Sequence, residues 1–260
     1  MASTSFVDND GVRIAWESVG SGHPLLMVMG HRWSRRMWHP IIGELQSRYR
    51  VISFDNRGSG QSDDPAEDYT IADMSGDALR VLEAAGVDRA HVYGVSMGGV
   101  IAQDLALHHA AAVDHLVLGC TVAVTADRLR LTPSRQLSYF VPDRITNFIS
   151  RPLLYGTTSR TPEIKRDLAA LAQERTRRPG LLGQARAVSR YEVDLDGLRQ
   201  LSHPTLVLHG AKDKVVPAEW GRELASLIPG AHALVFERAG HNYMATHASE
   251  SNAAVTAFLP

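Results

Sequence analysis

The chain has 260 residues, a formal net charge of −1, 44% hydrophobic residues and 21% charged residues. This length suits one large α/β domain with an insertion, or two small domains, and the composition is that of an ordinary soluble globular protein. The charge balance excludes a global field favouring nucleic acid or an anionic membrane, and a lone cysteine, Cys120, excludes a disulfide framework or cysteine-rich metal site.

Short apolar runs alternate with helical patterns through the first half. Arg13 to Glu17 and Leu25 to Met29 read as strands. Trp38 to Ser47 reads as a helix with Ile41, Ile42 and Leu45 on one face. Val51 to Phe54 is the next strand, and Thr70 is placed to cap a helix over Ile71 to Ala85, closed by Gly86. Ala90 to Tyr93 reads as a strand, Met97 to His109 as a helix, and Val113 to Leu118 as a strand. Strands and helices alternating at these lengths predict a mostly parallel central sheet with helices on both faces.

The alternation stops near Thr121. Arg128 to Leu137, Ile145 to Leu154 and Pro162 to Arg175 read instead as short amphipathic helices, punctuated by Pro133, Pro142, Pro152 and Pro179. It resumes with a strand at Thr205 to Leu208, a helix at Ala218 to Leu227, a strand at Ala233 to Glu237 and a helix at Thr246 to Phe258. The expected organisation is an α/β core at residues 1–121 and 199–260, interrupted by an inserted helical cap at 122–198. That cap carries twelve arginines and one lysine against eight acids. Solvated helix faces account for this charge; a roof attracting anionic substrates is the sharper alternative.

Ser96 lies in Gly94-Val95-Ser96-Met97-Gly98, after a strand and before a helix. That is the context a G-x-S-x-G nucleophile elbow requires, although the motif alone is weak. A serine hydroxyl needs a base within reach. Of twelve histidines, His241 stands out because it follows Gly240 in the loop after the last strand. His109, His203 and His209 lie at element ends and read as structural. Asp213, just beyond the strand Thr205 to Leu208, sits at a carboxyl end where open α/β sheets collect active sites. A plain turn role is its alternative reading.

With Ser96, Asp213 and His241 in that order, the chain resembles the α/β-hydrolase superfamily, in its serine-nucleophile branch with a helical cap. Asp55-Asn56-Arg57-Gly58-Ser59-Gly60-Gln61-Ser62 is similar to that family's D-x-R-G-x-G-x-S loop. Pro24 to Gly30 with Trp38, and Pro204 to Gly210, resemble the family's oxyanion strand and the strand leading to the acid. The resemblance implies an oxyanion hole built from the backbone N–H groups of Met97 and His31. It departs from the family where a His-Gly turn is replaced by Met29-Gly30-His31, and where His247 stands in place of a common glutamate.

The loop His31 to Arg36 is dense in cations and reads as an exposed basic loop. The sharper reading has Arg32 or Trp33 touching substrate. Cys120 reads as a small buried hydrophobe that could line the pocket, and Asp55 and Arg57 as residues that tie down their own loop.

The expected activity is hydrolysis of a small-molecule carboxylic ester or lactone, most like enol-lactonases and small esterases. Alternatives on the same fold are a carbon–carbon bond hydrolase of a ring-cleavage diketone acid, a cofactor-free perhydrolase, and a biosynthetic lyase or cyclase. No cofactor is expected and no metal-ligand cluster stands out. Neither a nucleic-acid nor a membrane partner is expected, and homo-oligomerisation is left open. Met1 to Ser5 lacks a basic start followed by an apolar run, and no segment nears the roughly 20 apolar residues that span a bilayer. A cytoplasmic location is therefore the expectation.

Overall fold

The computed structural model describes residues 3–65, 67–125, 151–157, 161–174 and 177–260. Among the described residues, eight strands form one sheet in the order β1-β2-β4-β3-β5-β6-β7-β8. They are β1 (Ser5–Asn9), β2 (Val12–Val19), β3 (His23–Val28), β4 (Tyr49–Phe54), β5 (Ala90–Val95), β6 (Val113–Gly119), β7 (Thr205–Gly210) and β8 (His232–Phe236). Only the β1–β2 and β2–β4 pairings are antiparallel. From β4 to β8 every pairing is parallel.

Apart from the edge strand β8, which is exposed over its first three residues, the parallel strands are largely buried on both faces, which is why they read as apolar runs. Leu26 and Val28 of β3 face one core, and Leu25 and Met27 face the other. The first core is closed by α2 (Ile71–Ala84), α3 (Met97–His108) and α8 (Ala218–Leu227). The second is closed by α1 (Ile42–Leu45) and α10 (Ala248–Phe258). Thr70 caps α2 as its sequence predicts, in a reciprocal capping box with Asp73.

Between β6 and β7 the described residues contain helices and no strand: α4 (Arg151–Tyr155), α5 (Pro162–Leu171), α6 (Arg178–Ser189) and α7 (Leu195–Arg199). The helix expected at Arg128 to Leu137 lies outside the described residues, as does most of the one at Ile145 to Leu154.

Four expectations are corrected. The helix read over Trp38 to Ser47 is a 3-10 turn, Arg35–Trp38, followed by the single turn α1. Pro40 has no amide to donate and clashes with a continuous helix, and Ile41 leaves helical geometry at φ −120°. The final helix, expected from Thr246, is α10 and starts at Ala248; His247 (φ −135°, ψ 43°) separates it from an additional single turn, α9 (Tyr243–Thr246). Strand β1 is additional to the strands read from the sequence; it pairs with β2 through a tight turn in which Asp10 and Gly11 both have positive φ, the geometry of a two-residue hairpin. Finally, α6 is masked in the sequence by Pro179, which occupies its first turn, where proline is tolerated, rather than breaking it.

Candidate active site

Ser96 stands between β5 and α3 at φ 54° and ψ −122°. A non-glycine residue there costs about 1–3 kcal/mol and persists only when its surroundings hold it. Here they do. Its N–H donates to the Gly119 carbonyl (2.8 Å), and its carbonyl accepts from Gly99 N–H (2.9 Å) and Thr121 Oγ1 (2.8 Å). A Cβ on Gly94 would strike the Gly98 carbonyl, and one on Gly98 would strike the Val28 carbonyl. The two motif glycines are therefore enforced by backbone packing.

Asp213, on the loop after β7, and His241, on the loop after β8, converge on Ser96. His241 Nδ1 lies 2.7 Å from Asp213 Oδ2, and His241 Nε2 lies 3.1 Å from Ser96 Oγ. With Nδ1–H donating to the carboxylate, Nε2 is left to accept from the hydroxyl. The other oxygen of Asp213 accepts the amides of Val215 (2.8 Å) and Val216 (2.9 Å). His209 Nε2 lies 3.3 Å from Oδ2 and donates to the Val216 carbonyl at 2.9 Å. Burial alone would raise the pKa of Asp213, but the His241 charge and these hydrogen bonds hold it well below the usual carboxylate range. Asp213 is thus an anion fixed in place at any working pH. His209 supports it, and His203 bonds to the Ala110 carbonyl far from the site.

A cavity of about 160 Å³ opens onto Ser96 Oγ. Its described walls are Val95, Leu154, Val215, Met244 and Trp33 on the apolar side, with Cys120, His31, Arg32, His241 and Asn242 completing them. Cys120 is both things expected of it, buried and at the pocket wall. Gly30 forms part of the floor. A Cβ there would lie 3.1 Å from Ser96 Cβ and 3.2 Å from the Val95 carbonyl, so only glycine lets the loop run this close to the serine.

Met97 is the first residue of α3, so its amide has no acceptor within the helix. The His31 amide belongs to the loop facing it. The His31 imidazole Nε2 lies 3.0 Å from the Leu181 carbonyl of α6, so it donates there. Burial lowers its pKa to about 4, against the help of that bond, and the ring is neutral at pH 7. The next residue, Arg32, has φ 67° and donates its amide to Gln184 Oε1 (2.8 Å). Gln184 Nε2 in turn donates to the Arg57 carbonyl (2.9 Å).

The expectation of an exposed basic loop is corrected for Arg35, which is only 6% exposed. It pairs with Asp55 and bonds Thr4 Oγ1 and Gln61 Oε1. Arg57 pairs with Asp77 of α2, so the Asp55–Ser62 loop is tied to its neighbours as well as to itself.

Sequence reasoning misses three residues that position this site. Gln184 clamps the Arg32 backbone. Asp167 of α5, fully buried, accepts from Tyr155 Oη (2.6 Å), Asn242 Nδ2 (2.8 Å) and His39 Nε2 (3.1 Å). Asn242, next to His241, also donates its amide to the Leu154 carbonyl at 2.6 Å. For the two helical residues, the available signal is a polar side chain within an apolar stripe.

Residues 23–248 match the family model of the alpha/beta hydrolase fold. The chain is 32% identical to a 2-hydroxymuconate semialdehyde hydrolase of Pseudomonas sp. (strain CF600), covering 96% of this chain and 91% of that protein. It is 30% identical to 3-oxoadipate enol-lactonase 1 of Acinetobacter baylyi over 69% of this chain and 67% of that one. Among solved structures, an esterase from Exiguobacterium antarcticum superposes with a TM-score of 0.86 at 25% identity, covering 99% of both chains.

Proposed function

Because this chain belongs to the α/β-hydrolase family, we propose that it hydrolyses a small carboxylic ester or lactone through an acyl-enzyme on Ser96. The observation that carries this reading is the unbroken chain from Asp213 through His241 to Ser96 Oγ, ending in a small, largely apolar cavity.

Ser96 Oγ attacks the acyl carbon while its proton passes to His241 Nε2. Asp213 stabilises the imidazolium across Nδ1. The negative charge formed on the carbonyl oxygen is held by the amides of Met97 and His31, the former at a helix N-terminus; each such donor supplies roughly 3 kcal/mol in the transition state. Collapse expels the alkoxide, which takes the proton from Nε2. A water then gives its proton to Nε2 and attacks the acyl carbon, releasing the acid and returning the proton to Ser96. For a lactone, acid and alcohol leave as one molecule. The apolar walls and small volume favour a short acyl group.

A second reading is supported by Arg32 at the cavity wall and by the similarity to a 2-hydroxymuconate semialdehyde hydrolase. The same three residues would then cleave a carbon–carbon bond in a substrate bearing a carboxylate, with Arg32 as its counter-ion.

The deciding experiment is a panel of short and long esters, lactones and ring-cleavage diketone acids, run with wild type, Ser96→Ala and Arg32→Ala. The first reading expects ester or lactone turnover that Ser96→Ala abolishes, with a fluorophosphonate labelling Ser96. Turnover surviving in Ser96→Ala would overturn both readings. Selective loss of anionic substrates in Arg32→Ala, alongside turnover of the diketone acids, would favour the second.

A further inference from the structure

A different cluster lies at the opposite end of the parallel strands. Strand β5 runs from His91 near that end to Val95 beside Ser96, about 13 Å at ~3.3 Å per residue. His23 opens β3, His91 is the second residue of β5, and Asp114 is the second residue of β6. Leu25 pairs with His91, so His23, two residues earlier, shares its face of the sheet. The β5–β6 register shifts between Ala90 and Val92, an irregularity of the kind that re-aims side chains. At this point Asp114 lies against the two histidines.

One ligand atom from each of His23, His91 and Asp114 lies within 4.8 Å of the others. His23 Nε2 is 2.6 Å from Asp114 Oδ2. Arg89 Nε holds the other carboxylate oxygen at 2.6 Å and so aims Oδ2 at the cluster, as outer partners of metal-bound carboxylates do. The His23 and His91 rings are tilted by 36° with centroids 4.2 Å apart. His91 is 1% exposed, and neither of its nitrogens makes a well-aligned hydrogen bond, although the Pro260 main chain lies alongside. Buried polar groups left in that condition are rare and call for a reason.

We propose that His23, His91 and Asp114 bind one divalent transition-metal ion of the zinc type, with water completing a tetrahedral site. Two imidazoles and one carboxylate are a donor set suited to such an ion. A shared proton would satisfy His23 and Asp114 but leave the buried His91 only the poorly aligned Pro260 main chain; a metal ion satisfies all three. Bond lengths of about 2.0–2.2 Å require ligand atoms roughly 3.4 Å apart. The His23–Asp114 pair, 2.6 Å apart, must open by about 0.8 Å, and the other pairs, within 4.8 Å, must close by up to about 1.4 Å. His23, with a side chain 43% exposed at a strand start, has that freedom. The ion would pin the beginnings of three adjacent strands, away from the reacting serine. No sequence motif announces the site, because its ligands are 68 and 23 positions apart.

The test uses protein stripped with a chelator and free of any purification histidines. Zn²⁺ alone is titrated by calorimetry and Co²⁺ alone by visible absorption. One equivalent per chain with a tetrahedral Co²⁺ spectrum is expected. His23→Ala and Asp114→Asn should each weaken binding by at least about tenfold, while Ser96→Ala and His241→Ala should bind as wild type does. Both ligand variants alter residues at strand beginnings, and melting of the metal-free proteins verifies their fold. Absence of stoichiometric uptake would overturn the proposal, as would uptake undiminished in both ligand variants or lost in His241→Ala.

Discussion

Asp213→Asn isolates the contribution of a single oxygen. The replacement is the same shape, but one of its two terminal atoms becomes a donor. Oδ1 of Asp213 accepts two good amide bonds, from Val215 and Val216, whereas Oδ2 faces His241 and, at a longer 3.3 Å, His209. The substituted carboxamide therefore keeps its oxygen on the two amides and turns its NH₂ toward His241. Reversing it would break two hydrogen bonds worth about 1 kcal/mol each. Facing a donor, His241 must accept at Nδ1 and carry its proton on Nε2, where it can no longer take one from Ser96. Restoring the working tautomer thus costs about 2 kcal/mol. Loss of the charge-assisted bond to the imidazolium adds roughly 2 kcal/mol more. At about 1.36 kcal/mol per decade, kcat should fall by about 10³-fold. KM should change little, because Asp213 does not line the cavity. The assay is hydrolysis of a chromogenic acetate ester by purified variants whose melting curves match wild type. A folded Asp213→Asn retaining more than about a tenth of wild-type kcat would refute this chain of reasoning.

Three further outcomes are expected. Gly30→Ala should lower kcat by about tenfold or more while moving Tm by only a few degrees, since the new methyl presses on Ser96 and the Val95 carbonyl; steady-state kinetics beside a thermal melt separate the two effects. Asp167→Ala removes the acceptor shared by Tyr155 Oη, Asn242 Nδ2 and His39 Nε2 and should cost about 3 kcal/mol, read from urea unfolding midpoints; an unchanged midpoint would contradict the role given to this carboxylate. The third concerns His31, whose folded pKa of about 4 lies below its unfolded value of about 6.5. The unfolded chain then binds the extra proton, so this contribution is full above pH 6.5 and is lost as pH falls toward 4. Up to about 2 kcal/mol should disappear between about pH 7 and pH 5, and His31→Gln, which can still donate to the Leu181 carbonyl, should show a correspondingly shallower pH dependence of unfolding.

Much of this architecture is legible in the sequence because central parallel strands are buried on both faces and so leave uninterrupted apolar runs, as at Leu25 to Met29 and Leu206 to Leu208. The Thr70 cap and the glycines around Ser96 act over a few residues and are equally readable. Strand β1 carries a local signal as well, since its Asp10-Gly11 turn is a hairpin dipeptide. What resists reading is long-range. Gln184 acts on Arg32, 152 positions away, and Asp167 acts on Asn242, 75 positions away. A polar side chain on an amphipathic helix is ordinary until its partner arrives from another part of the fold. Arg35 shows the same limit: a run of arginines looks solvated, yet Asp55, Thr4 and Gln61 together satisfy one of them well enough for burial.

The mounting of Asn242 has a kinetic consequence. This residue follows His241 directly, yet its amide and side chain are fastened to the helices between β6 and β7, through Leu154 and Asp167. A ligand bulky enough to displace those helices would therefore also pull on Asn242 and, through it, on the imidazole, so discrimination against bulk should register in turnover as well as in occupancy.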